Sequence, residues 1–485
     1  MPIQLKTTPP SDAAALVLTG PAALALPANF HALSGTKKIN AILDLPSPEQ
    51  FIAALGADEF HWLVKDIGPN DSIELLQMST AEQRLALIDF DAWTGEALDP
   101  ESFDTWMDVL NEAGHDLVVE TVRSLDPEFL VSYILSHTLA ILDRTEEDAL
   151  RAFEQDHVVV TTPDRDFHLV VAPEDAELPM RLRRLLDWLY EGNVAEARAL
   201  LFSAGTGLRE EQTEVAFNYR QGRLADLGFP SREDAWALYA RIDIRSFAAQ
   251  LASQQPTAPH VGPVRLHLAL RSLGRLPSFL NRSLDVLEGR DPLAAERFLL
   301  DFGSCVNRAA VAAPDGEALK DPDRLGELAA AVHATVGLAI EHLAEGDLDR
   351  GASVLEHGWA VQLHQVGHAL VVARAIRARE LRRRGGTLLG TDFDALSDAL
   401  LHVPNPLVPD EKGNISRPAA TLADLGRVDA LLNAAGATLD AFETVFGFDR
   451  IAFEAYVFTG LSPDDKRFIT FETLAATLLA RHLLS

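Results

Sequence analysis

Residues 222–243 read GRLADLGFPSREDAWALYARID, and the rest of the chain follows the pattern this stretch sets. A helix running out through Leu224 and Leu227 must stop at Gly228, because Pro230 has no N–H with which to continue it. Ser231 can cap a new helix and Asp234 answers three residues later, a capping-box spacing. In that new helix Ala235, Leu238, Tyr239 and Ile242 recur at i, i+3, i+4 and i+7, so one face is built for burial. The stretch predicts a helix, a corner and a second helix.

The same joint is signalled elsewhere. Ser or Asp followed by Pro occurs at Ser47-Pro48, Asp99-Pro100, Asp126-Pro127, Asp291-Pro292, Asp321-Pro322 and Ser462-Pro463. The first residue offers a side-chain oxygen to the unpaired amides, and proline takes the first helical position, where it loses no hydrogen bond. Ser79-Thr-Ala-Glu82 adds a capping box without proline. Between Phe51 and Ala140 the segments FIAALGADEFHWLVKDIG, DSIELLQ, TAEQRLALIDF, ESFDTWMDVLNEAG and EFLVSYILSHTLAIL read as successive short helices. None closes a core alone, so each stripe (Phe103, Trp106, Met107 and Leu110 is one) must lie on its neighbours. The predicted fold is all-α, a multi-helical superhelical, solenoid-like array.

Outward from these joints the chain divides into a loosely held leader at 1–40 with a short element near 29–33, and an acidic helical-repeat domain at 41–156. HVVVTTPDRDFHLVVAP (157–173) breaks the pattern, with two β-rich runs around a turn, and predicts one small hairpin near 157–172. Its His157 and His168 read as strand-end polar residues. A central helical domain follows at 174–385, interrupted by a proline-bearing corner at 252–263 and resuming with RLHLALRSLG. Its last helix runs from about Leu348 to Arg384. A Pro-rich loop or linker at 386–420 and a C-terminal helical cap at 421–485 complete the chain.

Of 485 residues, 47% are hydrophobic and 24% charged, ordinary for a folded protein. The single cysteine, Cys305, sits in FGSCVNRAA and reads as a buried small side chain. No apolar run reaches the length of a membrane-spanning helix. The N-terminal AAALVLTGPAALALPA is broken by Gly20-Pro21 and makes a poor signal peptide, so a cytoplasmic location is expected. The net charge of −30 is uneven: residues 44–177 hold 31 acidic against 6 basic residues, a net of −25. Such a field repels nucleic acid and anionic membrane and attracts basic proteins or divalent cations; otherwise it is a solvated acidic surface.

His357, His364 and His368 are spaced by seven and four residues. On one continuous helix they fall within a 40° arc, and imidazoles at i and i+4 can share a metal ion. Glu341 or His342 on the preceding helix would be the third ligand. The plainer reading is a polar stripe, since no HExxH or adjacent carboxylate accompanies them. RAIRARELRRR, with Arg374, Arg377, Arg379, Arg382, Arg383 and Arg384, reads as a solvated helix end complementing the helix dipole. Docking of this run against the acidic segment, within the chain or on a second copy, is the alternative. No dinucleotide, P-loop, nucleophile-elbow, paired-cysteine or kinase motif is present.

The 222–243 stretch, together with LVKDIGPNDSIELLQMSTAEQ (63–83) and LEHGWAVQLHQVGHAL (355–370), resembles a bacterial family of unknown function. The resemblance covers most of residues 35–485 and implies no activity or site residues. Separately, residues 44–140 are similar in texture to the intracellular helical domain of bacterial magnesium transporters, itself like helical parts of the flagellar motor switch. That likeness implies a superhelical acidic domain responsive to divalent cations; the transporter's nucleotide-sensing pair and membrane helices have no counterpart, so it does not extend to transport.

The sequence therefore reads as a cytoplasmic helical scaffold or interaction protein. Its acidic N-terminal array would engage a basic protein partner or divalent cations. The alternative is a metal-binding protein or metalloenzyme using the His357, His364, His368 face. No nucleic acid, membrane span or organic cofactor is expected, and homo-oligomerisation stays open.

Overall fold

The computed structural model describes residues 26, 30, 33–171, 176–253, 277–314, 316–402, 405–456 and 468–484. The expected 1–40 leader with its element near 29–33, the bulk of the 252–263 corner, the RLHLALRSLG segment and the Ser462-Pro463 start signal lie wholly or largely outside them. Among the described residues the chain forms 23 α-helices and three small antiparallel sheets. The fold is all-α with small β additions.

The described chain falls into two compact units. The first comprises residues up to Gly228 together with 316–322, and the second takes the remainder from Phe229 onward. In the first unit Phe60, Phe90, Phe103 and Tyr133 are fully buried. One continuous apolar core there runs from Phe30 through Trp106 and Leu186 to Ala216. In the second, Leu338, Val371, Leu396, Val428 and Leu432 anchor a core built from the later helices.

The five described Ser/Asp-Pro signals each begin a helix at the proline: Pro48–Ala54, Pro100–Ala113, Pro127–His137, Pro292–Ala312 and Pro322–Leu343. Asp99 accepts from Ser102 N at 3.2 Å and Asp291 from Ala294 N at 3.0 Å, the capping bonds the spacing called for. The capping box near residue 80 is shifted by one. Thr80, not Ser79, is the N-cap, and its partner is Gln83, not Glu82. The amide of Gln83 explains the choice, because it also donates to the carbonyls of Ile52 at 2.7 Å and Leu55 at 2.9 Å, closing the end of helix Pro48–Ala54.

At the 222–243 joint, helix Arg209–Asp226 gives way at Gly228, where φ is +89°, and Ser231 Oγ caps Asp234 N at 3.2 Å. The new helix is shorter than expected. Arg232–Trp236 tightens into a 3₁₀ turn at Ala237–Tyr239 and ends, so Ala235 and Leu238 are buried but Ile242 lies beyond the helix.

Three other expectations are corrected. The helix predicted through Leu142 stops at His137, and Ala140–Asp143 is a strand. It pairs with Phe167–Val171, which also pairs with Val158–Thr161 (Thr161 opposite His168), so the predicted hairpin is the larger part of a three-stranded sheet. The added strand satisfies backbone groups that the hairpin alone would leave at its edge. Within 386–420, read as a loop, a helix Thr391–Leu400 and a two-stranded hairpin of Leu407–Pro409 with Ile415–Pro418 form. Asp410 turns that hairpin by accepting from Lys412 N and Asn414 N at 2.7 and 2.8 Å, with Gly413 at φ +87°. Finally, the single helix predicted from Leu348 to Arg384 is two, Leu348–His357 and Ala360–Gly385.

Candidate functional site

The acidic segment is a run of short helices whose first turns carry carboxylates: Glu49, Glu74, Glu82, Glu101 and Asp116 are all exposed. Carboxylates there complement the helix dipole, which accounts for their positions but not for their surplus. The surplus follows from where the unit's cations go. Lys65 pairs with Asp91 at 2.9 Å, Arg84 with Glu120, and Arg144 with Asp166 at 3.3 Å. Cations from flanking parts of the same unit are spent likewise. Lys38 meets Asp66, Arg184 meets Asp108 at 2.6 Å, Arg198 meets Asp164 at 2.7 Å, and Lys320 meets Asp99 at 3.2 Å.

A further pair with a buried carboxylate, Arg223 with Asp89, sits between helices Ala81–Asp91 and Arg209–Asp226. Burial pushes the Asp89 carboxyl up, and two hydrogen bonds from Arg223 oppose it. Arg220, itself buried, donates to the Asp89 carbonyl at 2.6 Å and lies over the Trp93 ring. Burial also opposes ionisation of Asp164, yet hydrogen bonds from Arg198, Thr162, Asp166 N–H and Tyr190 hold its carboxyl down to about 2. A shallow cleft beside Asp104, Tyr133 and Trp188 has room for about one water. Its Arg181 and Arg184 are already paired with Asp104 and Asp108.

In the second unit the three histidines do not share one helix. His357 ends Leu348–His357 and its Nδ1 lies 2.9 Å from the Ser353 carbonyl, whereas His364 and His368 stand on Ala360–Gly385. The break has a tertiary cause: Asp301, buried on helix Pro292–Ala312, accepts from Ala360 N and so caps the second helix from outside the local sequence. Burial raises the Asp301 carboxyl to about 6. Of the two expected third ligands, Glu341 accepts from Leu422 N at 2.9 Å, and His342, in the last turn of Pro322–Leu343, joins no group of three metal-binding side chains among the described residues.

His364 and His368 remain together. Their rings stack at 6.2 Å with planes 12° apart, and Tyr239 meets both edge-on at 5.5 and 5.2 Å. His364 is 1% exposed; burial and then His368 push its pKa down to about 3, and its Nδ1 has no hydrogen-bond partner. The Tyr239 hydroxyl is likewise buried without a partner, and burial with Cys305 nearby pushes it up. Cys305 is fully buried, and burial followed by Asp301 raises its thiol well above the ordinary value, so it is no nucleophile at neutral pH. Among the described residues no three His, Cys, Asp or Glu side chains converge on a point that could hold a metal ion. Tyr239 belongs to this group although its i, i+4 spacing marked it only as core.

The arginine run is more than a solvated helix end: Arg379 and Arg383 are exposed, but the other four reach side chains of their own unit. Arg374 pairs with Asp429 at 2.6 Å, Arg377 donates to Asn433 at 2.6 Å, Arg382 pairs with Asp394 and Asp398, and Arg384 with Asp440 and Glu443. These partners lie on Thr391–Leu400 and Leu422–Phe446, so the run binds the later helices of its own unit.

No helix among the described residues is long and apolar enough to cross a membrane. The model of a family of unknown function, DUF6178, matches residues 26–485, and the chain belongs to that family. No curated protein and no solved structure matches it. None of these comparisons shows the likeness of residues 44–140 to the magnesium-transporter helical domain.

Proposed function

We propose that this member of a family of unknown function is a cytoplasmic scaffold or interaction protein whose acidic first unit captures a basic protein partner, with divalent cations as a weaker second ligand class. The observation that carries the reading is the disposal of charge. Many of the first unit's cations, Lys65, Arg84, Arg184 and Lys320 among them, are paired with its own carboxylates, while first-turn acids such as Glu74, Glu82, Glu101 and Asp116 project into solvent. A surface so arranged attracts cationic proteins over about a Debye length and contributes to encounter rate and partner choice.

Affinity capture with the tag-free chain tests this. At about 0.05 M salt the captured proteins should be predominantly basic, and raising salt to about 0.5 M should release most of them. Partners retained equally at both ionic strengths, or without a basic bias, would overturn the electrostatic reading.

A further inference from the structure

We infer that helix Phe471–Leu484 is a self-pairing element, which docks antiparallel on the same helix of a second copy of this chain. Among its described side chains only Phe471 is buried and only Leu474 partly so, both packed on the second unit's core. Ala475, Ala476, Leu479, Ala480 and Leu483 are exposed, Leu479 at 59% and Leu483 at 75%. At 100° per residue these five fall within an arc of about 140°. Ala476, then Leu479 or Ala480, then Leu483 recur at i, i+3 or i+4, and i+7, the seam of a paired helix. The bare surface continues past the helix start: the Phe471 ring lies 4.4 Å from Phe442, and Phe442 lies 5.1 Å from Phe446. Phe446 is 55% exposed and its neighbour Val445 72%. Together these residues present on the order of 500 Å² of apolar surface, more than a monomer ordinarily leaves bare and somewhat under the ~800 Å² per partner of a standard interface. A dimer of micromolar strength fits that area.

Charge separates the kinds of occupant such a face could take. In a chain of net −30, residues 471–484 carry Glu472 and Arg481 as their only ionised side chains, so a basic partner finds no surplus of carboxylates there. Helices that lie on a membrane surface line their polar face with Lys and Arg, and this one has a single arginine. A second copy brings the same neutral, apolar face, and a two-fold contact is complementary to itself. In the antiparallel arrangement the helix dipoles oppose and the two Glu472 side chains stand at opposite ends. Paired about Leu479, each Leu483 falls opposite the small Ala475 and Ala476 of the second copy. The helix belongs to the second unit, so self-pairing and charge capture by the first unit stand or fall separately.

Sedimentation velocity on the tag-free full-length chain, from about 1 to 100 μM, tests this. The mass should rise with concentration from 52.8 kDa toward twice that value. The double variant Leu479→Glu, Leu483→Glu, at exposed positions where folding is least at risk, should weaken the dimer at least about tenfold. Mixing it with a Leu479→Lys, Leu483→Lys chain should restore a dimer of one copy of each. Raising salt from about 0.05 to 0.5 M should leave the parent dimer intact or strengthen it, because screening removes repulsion between two acidic copies. A parent chain that stays monomeric at 100 μM, a dimer indifferent to the glutamate variant, or no dimer on mixing the two variants would overturn the assignment. So would a monomer that floats with phosphatidylcholine vesicles, which would give the helix to a membrane surface.

Discussion

Arg223 closes on Asp89 with two parallel hydrogen bonds, from Nε at 2.7 Å and from its terminal nitrogen at 2.8 Å. The carboxylate is 4% exposed, and Arg223 also reaches Asp126 at 2.8 Å. Removing one partner of a buried pair strands the other charge, so Arg223→Ala should cost about 3 kcal/mol in urea unfolding. Asp89→Asn in the same background should recover part of that loss. A single-variant cost below about 1 kcal/mol would show the pair to be dispensable.

Mild acid should weaken the protein through two buried histidines. Burial lowers His364 to about 3 and His333 to about 4, against an ordinary value of 6.5. Both folded values are depressed, so their contribution is intact above pH 6.5 and is lost as the pH falls toward those values, because the unfolded chain takes the protons first. Asp301, raised to about 6, has the opposite sign and offsets part of the loss below that pH. The net penalty at pH 5 should be on the order of 2 kcal/mol relative to pH 7.5. Denaturant melts at the two pH values measure it, and the His333→Gln, His364→Gln pair should flatten the dependence.

Two helical glycines should respond to alanine with opposite signs. A Cβ on Gly367 would stand 2.0 Å from the Thr335 carbonyl oxygen, on helix Pro322–Leu343, and backbone cannot step aside cheaply. Gly367→Ala should therefore destabilise by about 3 kcal/mol. Gly426, exposed within Leu422–Phe446, has nothing within 4 Å of a Cβ, and Gly426→Ala should stabilise by about 0.5–1 kcal/mol. Thermal melts of both variants check this. Equal shifts would mean the two helices do not approach closely at Gly367.

What could be read in advance follows the range of the forces involved. Asp99-Pro100 and Asp291-Pro292 announce their helices because cap and first residue are neighbours in sequence. The end of the helix at His357 was signalled locally only by Gly358, its C-cap; the fresh start at Ala360 is fixed by a carboxylate 59 residues away, Asp301. Ala140–Asp143 looked helical because its edge partner, Phe167–Val171, lies far along the chain. For the same reason the arginines up to Arg384 passed for a solvated end; Asp440 and Glu443 come into reach only once two helices pack. Of the candidate site, the His364–His368 pair was legible from a local spacing of four. Tyr239 was not, because its ring joins them across a tertiary contact.

Charge capture by the first unit is tested most directly by neutralising it. The variant Glu74→Gln, Glu82→Gln, Glu101→Gln, Asp116→Asn removes four exposed carboxylates without touching a core residue or an assigned ion pair. Captured partners would be quantified beside the parent chain at about 0.05 M salt, with thermal melts confirming that both are folded. The account predicts that the basic partners fall several-fold in yield. The same partners recovered in the same yield would contradict it.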